Sequence, residues 1–382
     1  MKRPVSPDPL SETGALPAKT CYKSPMGDDR KDKQEPPHSG EPINLKQLAA
    51  ILQLSQTTIS LVLNNSPSAK SIPAHTRERV FQAARKFHYR PNYFARSLRR
   101  NRSMSIGVMA PDLSEGYFTM VMNGVEEYLT RAQYFYFSAS HFWNQELMIE
   151  YPRMLFERAV DGFLLLNTPS EIRSPLPTVA ISAHNNSPGV TNIILDHMRG
   201  AELALRHLYD LGHRKIAFMK GPNIIPDTEY RWRSILEVAK QLNIKVQSDH
   251  CIQLDADSWS PGVGYEPMRD LLARARDFTA MFCFNDISAI GVIRAIYDAG
   301  LSVPEDISVI GFDDIMSAAY HKPSLTTVRQ PLRDMGREGA QVLLDMISSP
   351  DKQFPEEIVM QPELIVREST GLAAAHRSKR RA

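Results

Sequence analysis

Cysteine is scarce: Cys21, Cys251 and Cys283 are the three in 382 residues, too few and too scattered for a disulfide framework or a CxxC-type metal site. That scarcity points to a reducing compartment. No apolar run approaches the roughly 18 residues that a membrane span needs. Lys2 and Arg3 come early, but no apolar stretch follows them, so no secretory leader is expected. Enzyme signatures are missing as well: there is no GxGxxG, P-loop, HExxH or GxSxG, and no catalytic residue, cofactor or metal is assigned. His207 and His213 flank a predicted helix end, where a cationic cap suits the dipole better than a metal does. What is present, 42% hydrophobic residues in a chain of this length, suits two to three cytoplasmic folding units.

The charge is unevenly spread. Residues 41–103 carry eleven basic side chains and two acidic ones, whereas 104–382 hold 27 basic against 35 acidic. A basic module joined to an acidic body suggests that the first part meets a polyanion and the second does not; a solvated basic helix face is the plainer alternative. Residues 1–41 are rich in Pro, Lys, Asp, Ser and Gly without an apolar period, and read as a disordered tail. Residues 371–382, with Arg377, Lys379, Arg380 and Arg381, read as a loose basic tail.

Between them the periodicity changes once. Ile43, Leu45, Leu48, Ala49, Ile51 and Leu52 recur at helical spacing. Ser55 stands as an N-cap before a second period of Ile59, Val62 and Leu63, which Asn64-Asn65-Ser66-Pro67 breaks. A third segment opens at Pro73, with Val80, Ala83, Ala84 and Phe87 on one face and Arg77, Arg79, Arg85 and Lys86 on the other. Three short helices, two joined tightly, outline a helix-turn-helix over 42–90. From Ser103 the pattern becomes strand–helix alternation. Strands are expected at 105–110, 134–138, 162–166, 178–181, 215–219, 280–284 and 307–312, and helices at 118–130, 199–211, 230–242, 264–275, 286–299 and 332–347. Such alternation calls for parallel sheets, and its length calls for two α/β lobes rather than one.

Six segments, LKQLAAILQLSQTTISLVLNNS, IPAHTRERVFQAARKFHYRPNYFARSLRRNRSMSIGV, LRHLYDLGHRKIAFMKGP, GLSVPEDISVIGFDDI, PSLTTVRQP and PELIVREST, together resemble the lactose-repressor (LacI/GalR-type) family of bacterial transcription regulators. The resemblance covers about residues 43–370. It implies an all-α helix-turn-helix domain, a hinge helix and linker over 91–103, and a two-lobed, periplasmic-binding-protein-like α/β effector and dimerisation domain over 104–370. The N-lobe would take about 104–196 and 331–358, the C-lobe about 197–330 and 359–370. It also implies a cytoplasmic, nucleoid-associated homodimer on near-palindromic operator DNA, without membrane attachment. The alternative, a sugar-binding solute receptor, would need a leader peptide and no DNA module.

In a helix-turn-helix the second helix enters the major groove. The expected DNA-contacting residues are Ser55, Gln56, Thr57, Thr58, Leu61 and Asn64, with Gln56 suited to adenine and the Thr57 methyl to thymine. Thr57, Thr58 and Ser60 could equally be ordinary polar helix positions. Two departures stand out from the family pattern: Gln53 replaces the usual glycine of the inter-helix turn, and Leu61 replaces a base-reading Arg or His. In the segment resembling the hinge helix, Leu98 matches the family's minor-groove wedge, and Arg96 and Arg99 would lie near phosphates.

Open α/β sheets bind ligands beyond the carboxyl ends of their strands. By resemblance, Tyr117 and Phe118 match aromatic wall positions, Arg231 a ligand clamp, Asp196 and Asp313 acceptors, Asn285 a polar contact and Trp259 an aromatic loop position. Such a set suits a sugar, with its many hydroxyls and apolar faces. Asp196 and Asp313 could instead be helix N-caps, and Tyr117 and Phe118 core or dimer-face residues. Arg231 is expected at the start of a helix, where a cation opposes the dipole and needs a ligand to justify it. Ile225 and Asp227 stand where purine-binding relatives carry polar or basic groups, which disfavours a purine.

Overall fold

A computed structural model describes residues 43–89, 102–113, 116–168, 175–255 and 260–373. The chain divides into two compact units at Pro91/Asn92.

In the first unit, α1 (Leu45–Leu52), α2 (Gln56–Leu63) and α3 (Ala74–Lys86) surround Leu48, Ile59 and Val80, all fully buried, with a short 3-10 turn at Pro67–Ser71. The start of α1 is fixed reciprocally: Asn44 Oδ1 accepts from the Gln47 amide at 3.0 Å, and Gln47 Oε1 accepts from the Asn44 amide at 2.8 Å. Gln53 ends α1 with φ 55° and ψ 41°, so the turn does carry a side chain in left-handed backbone. Arg79 Nη2 donates to the Leu52 carbonyl at 3.3 Å and ties α3 to that turn. Arg77, expected to face out, is half-buried with its Nε sheltered.

The second unit holds two six-stranded sheets. The first lobe runs β1 (Ser105–Ala110), α4 (Gly116–Arg131), β2 (Phe135–Ser140), α5 (Gln145–Glu157), β3 (Gly162–Leu166), β4 (Thr178–Ile181) and β5 (Val190–Leu195). The second runs α6 (His197–Asp210), β6 (Ile216–Lys220), α7 (Pro226–Gln241), β7 (Cys251–Gln253), α8 (Gly262–Arg274) and β8 (Ala280–Phe282). It continues with α9 (Asp286–Asp298), β9 (Ser308–Asp313), α10 (Met316–Tyr320) and β10 (Thr326–Arg329). The chain then returns: α11 (Leu332–Ser348) packs on the first sheet, β11 (Glu357–Met360) pairs with β5, and β12 (Glu363–Ile365) pairs antiparallel with β10. The orders are β11-β5-β4-β3-β1-β2 and β12-β10-β9-β8-β6-β7, parallel except for β12.

The chain thus passes between the lobes three times, after β5, β10 and β11. Each lobe repeats one packing device. A Cβ on Gly124 would collide with the Arg333 carbonyl and one on Gly336 with the Val121 carbonyl, so α4 and α11 cross backbone to backbone. Gly264 and Gly291 do the same for α8 and α9. Among the described residues no helix is long and apolar enough to cross a membrane.

Candidate functional site

On α2, Ile59, Val62 and Leu63 point to the core, which leaves Thr57, Ser60, Leu61 and Asn64 together on the opposite stripe. Ser55 caps the helix: its Oγ accepts from the Thr58 amide at 3.0 Å and meets Thr58 Oγ1 at 2.8 Å. Ser55 and Thr58 therefore set the helix start, while Gln56 and Thr57 stand exposed in its first turn. Leu61 is half-buried, and Asn64 turns its amide nitrogen back onto the Ser60 carbonyl at 2.7 Å. A short helix presenting an exposed amide, a hydroxyl and a methyl from its N-terminal turn has the reach and the donor/acceptor set for base edges in a major groove. Arg96, Leu98 and Arg99 lie outside the described residues.

In the second unit, Tyr117, Phe118, Arg231, Asn285 and Asp313 line one partly open cavity of about 30 Å³, together with Asn167, Ile225, Asp227, Phe284 and Gln330. Strand ends from both lobes deliver them: Tyr117 and Phe118 open α4 after β1, Asn167 follows β3, Asp313 ends β9 and Gln330 follows β10. Asp196 is not among them. It caps α6, accepting from the Arg199 amide at 2.9 Å, which is the alternative its position allowed. Trp259 lies outside the described residues. Asn285 does both jobs, capping α9 through the Ser288 amide at 3.0 Å while lining the cavity.

Arg231 is not at a helix start. Pro226 opens α7, which puts Arg231 in the second turn, so the dipole argument for it fails. The protein holds it another way. Its Nη1 donates to the Phe284 carbonyl at 2.7 Å, and its guanidinium lies 3.8 Å from the Phe312 ring centroid and 4.7 Å from that of Phe284. Tyr117 and Phe118 meet edge to face at 5.0 Å, and the Tyr117 hydroxyl donates to Ser182 Oγ at 2.8 Å. Burial, reinforced by the Asp227 charge, pushes the Tyr117 phenol far above its ordinary range, so it stays a neutral donor.

The carboxylates differ. Burial would raise Asp227, but the His197 and His184 imidazoles beside it hold it well below the usual range. Burial pushes Asp313 up to about 7, although Arg231 and the Gln330 amide, which donates to Asp313 Oδ1 at 2.6 Å, work the other way. Arg231 is lowered by burial, with Asp313 and Asp227 opposing. Three buried polar atoms at the cavity, Asn167 Oδ1, Gln330 Oε1 and Arg231 Nε, have no hydrogen-bond partner among the described residues. An orphaned buried acceptor costs about 1–3 kcal/mol, which a ligand hydroxyl would recover. At about 10–15 Å³ per water, the cavity takes two or three waters, so anything of sugar size enters only as the lobes part or the side chains move.

Asn167 and Gln330 were not anticipated from sequence. The strand-end rule reaches Asn167, since β3 was expected; it could not reach Gln330, because β10 was not. His207 stands in the last turn of α6, with its Nε2 2.9 Å from Thr370 Oγ1, and His213 meets Thr279 Oγ1 at 2.8 Å and the Gly371 carbonyl at 3.0 Å. They anchor the segment that follows β12.

Comparison with known proteins identifies both units by family. A family model described as "Bacterial regulatory proteins, lacI family" matches residues 44–92, and one described as "Periplasmic binding protein-like domain" matches 205–370. The HTH-type transcriptional repressor PurR of Aliivibrio fischeri is 33% identical over 334 residues, covering 85% of this chain and 97% of the relative. The lac repressor dimer bound to operator and the anti-inducer ONPF superposes with a TM-score of 0.78 at 25% identity, over 87% of this chain and 100% of that one. A LacI family regulator from Enterococcus faecium with bound ribose gives 0.62 at 31% identity, over 70% of this chain and 99% of its own.

Proposed function

The chain belongs to the lacI family of bacterial regulatory proteins, a DNA-binding transcriptional regulator with a small-molecule effector domain and not an enzyme; from that premise we propose that its effector is a polyol of the sugar class, held between the lobes by Arg231, Asp313, Asn285 and the Tyr117–Phe118 wall. One observation carries this reading. The cavity is rich in acceptors (Asn167 Oδ1, Gln330 Oε1 and the Asp227 and Asp313 carboxylates), and its one strong cation, Arg231, is already committed to a backbone carbonyl and two aromatic faces. A donor-rich ligand of hydroxyls matches that set, whereas an anionic ligand meets two carboxylates. The ribose-bound relative supports the same class.

The protein would act as a homodimer on paired half-sites, Gln56 and Thr57 reading bases and Leu98 wedging the minor groove between them. Opening the cavity to admit the effector changes the lobe spacing, and residues 90–101 pass that change to the DNA-reading unit. A ligand that prefers the opened arrangement 100-fold shifts the equilibrium by about 2.7 kcal/mol and weakens operator binding by the same factor.

Calorimetric titration of the full chain with aldoses, ketoses, linear polyols and disaccharides, and separately with purine bases and nucleosides, tests the class. A member of the first group should bind, and Arg231→Leu should lose at least tenfold while retaining a native circular dichroism spectrum. Binding of a purine with no response to any polyol would overturn the assignment.

A further inference from the structure

We propose that His184, His197 and Asp227 form a site for one divalent transition-metal ion of the zinc type at the seam between the lobes. The residues come from three places in the fold. His184 follows β4 of the first lobe, His197 opens α6 just after the chain crosses, and Asp227 lies in the first turn of α7 in the second lobe. One ligand atom from each lies within 4.8 Å of the other two. Both imidazoles converge on one carboxylate oxygen, His184 Nε2 at 2.8 Å and His197 Nε2 at 3.3 Å from Asp227 Oδ1.

Two features separate this from an ordinary buried hydrogen-bond trio. In such a trio each imidazole would donate along an aligned axis. His184 does, but His197, only 6% exposed, has no aligned partner for either ring nitrogen among the described residues. A neutral imidazole stripped of water on both nitrogens is costly, and coordination of one nitrogen removes much of that cost. Second, two of the three ligand separations are already close to those of a coordination shell. With metal–ligand lengths of about 2.1 Å, neighbouring ligand atoms in a tetrahedral zinc site stand about 3.4 Å apart. The two imidazole–carboxylate separations lie within about 0.6 Å of that value.

The surroundings orient the ligands. Tyr230 stacks on His184 with ring centroids 3.7 Å apart and planes 11° from parallel, which fixes the imidazole's orientation. Arg231 is a competing positive charge; its Nη2 stands 3.9 Å from the other carboxylate oxygen of Asp227, leaving Oδ1 to the imidazoles. Two imidazoles and a carboxylate are the borderline donor set that zinc, nickel and copper accept and that magnesium and calcium do not favour. Three protein ligands leave a fourth position, and Asp227 also lines the cleft cavity, from which that position can be filled. Because the ligands come from both lobes, a bound ion would staple the lobes together and oppose cleft opening.

The test uses the full chain, stripped with a chelator, titrated with Zn²⁺ by calorimetry and with Co²⁺ by visible absorption. One equivalent should bind, the cobalt spectrum should have the intensity of a four-coordinate centre, and zinc should raise the melting temperature. His197→Ala and His184→Gln should each weaken zinc binding at least 50-fold and abolish the melting shift, while His75→Ala, on an exposed helix face of the first unit, should change neither. Absence of stoichiometric binding in the unaltered chain, or unchanged binding in both site variants, would overturn the proposal. Should either variant lose its native circular dichroism spectrum, X-ray absorption of the zinc-loaded unaltered chain decides: a first shell with two imidazoles supports the site, and a shell with one or none refutes it.

Discussion

Asp313 concentrates the tension of the cleft. It has φ 115°, a backbone region that a residue with a Cβ adopts only when its surroundings force it, and it is followed by Asp314 at φ 58°. The consecutive twist sends the two carboxylates apart: Asp313 to Gln330 and the cavity, Asp314 to Arg329 at 2.7 Å and Arg367. Because Asp313 is raised to about 7 from 3.8, the native state holds a proton that the unfolded chain releases between those values. Its contribution is therefore favourable at low pH and is lost as pH rises from about 4 to about 7. Asp313→Asn should be more stable than the unaltered protein at pH 8, by about 1–3 kcal/mol, and the gap should shrink toward pH 5. Urea denaturation midpoints of both proteins at the two pH values check this. The variant should also bind the cleft ligand less well, since the acceptor that Arg231 faces loses its charge. At this scale the strand-end rule reached Tyr117, Phe118, Asn285 and Asp313 as cleft-lining positions. It also led to Asp227 and Arg231 after β6, and it could have reached His184, which follows the expected strand β4; Asp196, matched by resemblance, serves the fold as a helix cap instead. No spacing in the sequence announces an imidazole pair separated by a strand and completed by the next helix but one.

At the scale of elements, the inter-helix turn of the first unit shows what a departure costs. Gln53 adopts left-handed backbone where glycine would be unstrained, at about 1 kcal/mol. Gln53→Gly should stabilise α1 and α2 by up to that amount, read as slower hydrogen exchange at the Ile59 and Val62 amides of the full chain; Gln53→Val should speed it. Elements with a clean period were legible to within a few residues. Those with mixed signals were not. In β5, Thr191 and Asn192 break the apolar run, yet both are buried, and Asn192 donates to the Asn185 carbonyl at 2.9 Å, so the structure compensates for a polarity that reads as loop. In α5, Pro152 sits inside the helix and hides its period. The short strands β7, β11 and β12 owe their pairing to neighbours far along the chain, which no local pattern encodes, and β10 has only four residues, Thr326–Arg329. The start of α7 is legible in the sequence: Pro226 in the first turn, with Asp227 and Glu229 following, is a helix N-terminus.

For the molecule as a whole, the two α/β lobes joined by three crossings give the effector and the proposed metal the same lever. Both sites draw residues from both sheets, so occupancy of either one changes the free energy of lobe separation, and each must alter the other's affinity by the same factor. In the proposed function, the basic first unit supplies the sequence-independent attraction, and α2 and Leu98 are assigned the discrimination. Fluorescence anisotropy on a duplex from the gene's own upstream region and on a scrambled duplex of equal length, from 50 to 200 mM salt, measures the two contributions separately. The account predicts operator binding at least ~10³-fold tighter than scrambled binding, both weakening with salt, with Leu98→Ala collapsing the first toward the second. Equal affinity for the two duplexes at every salt concentration, with and without the cleft ligand, would contradict it.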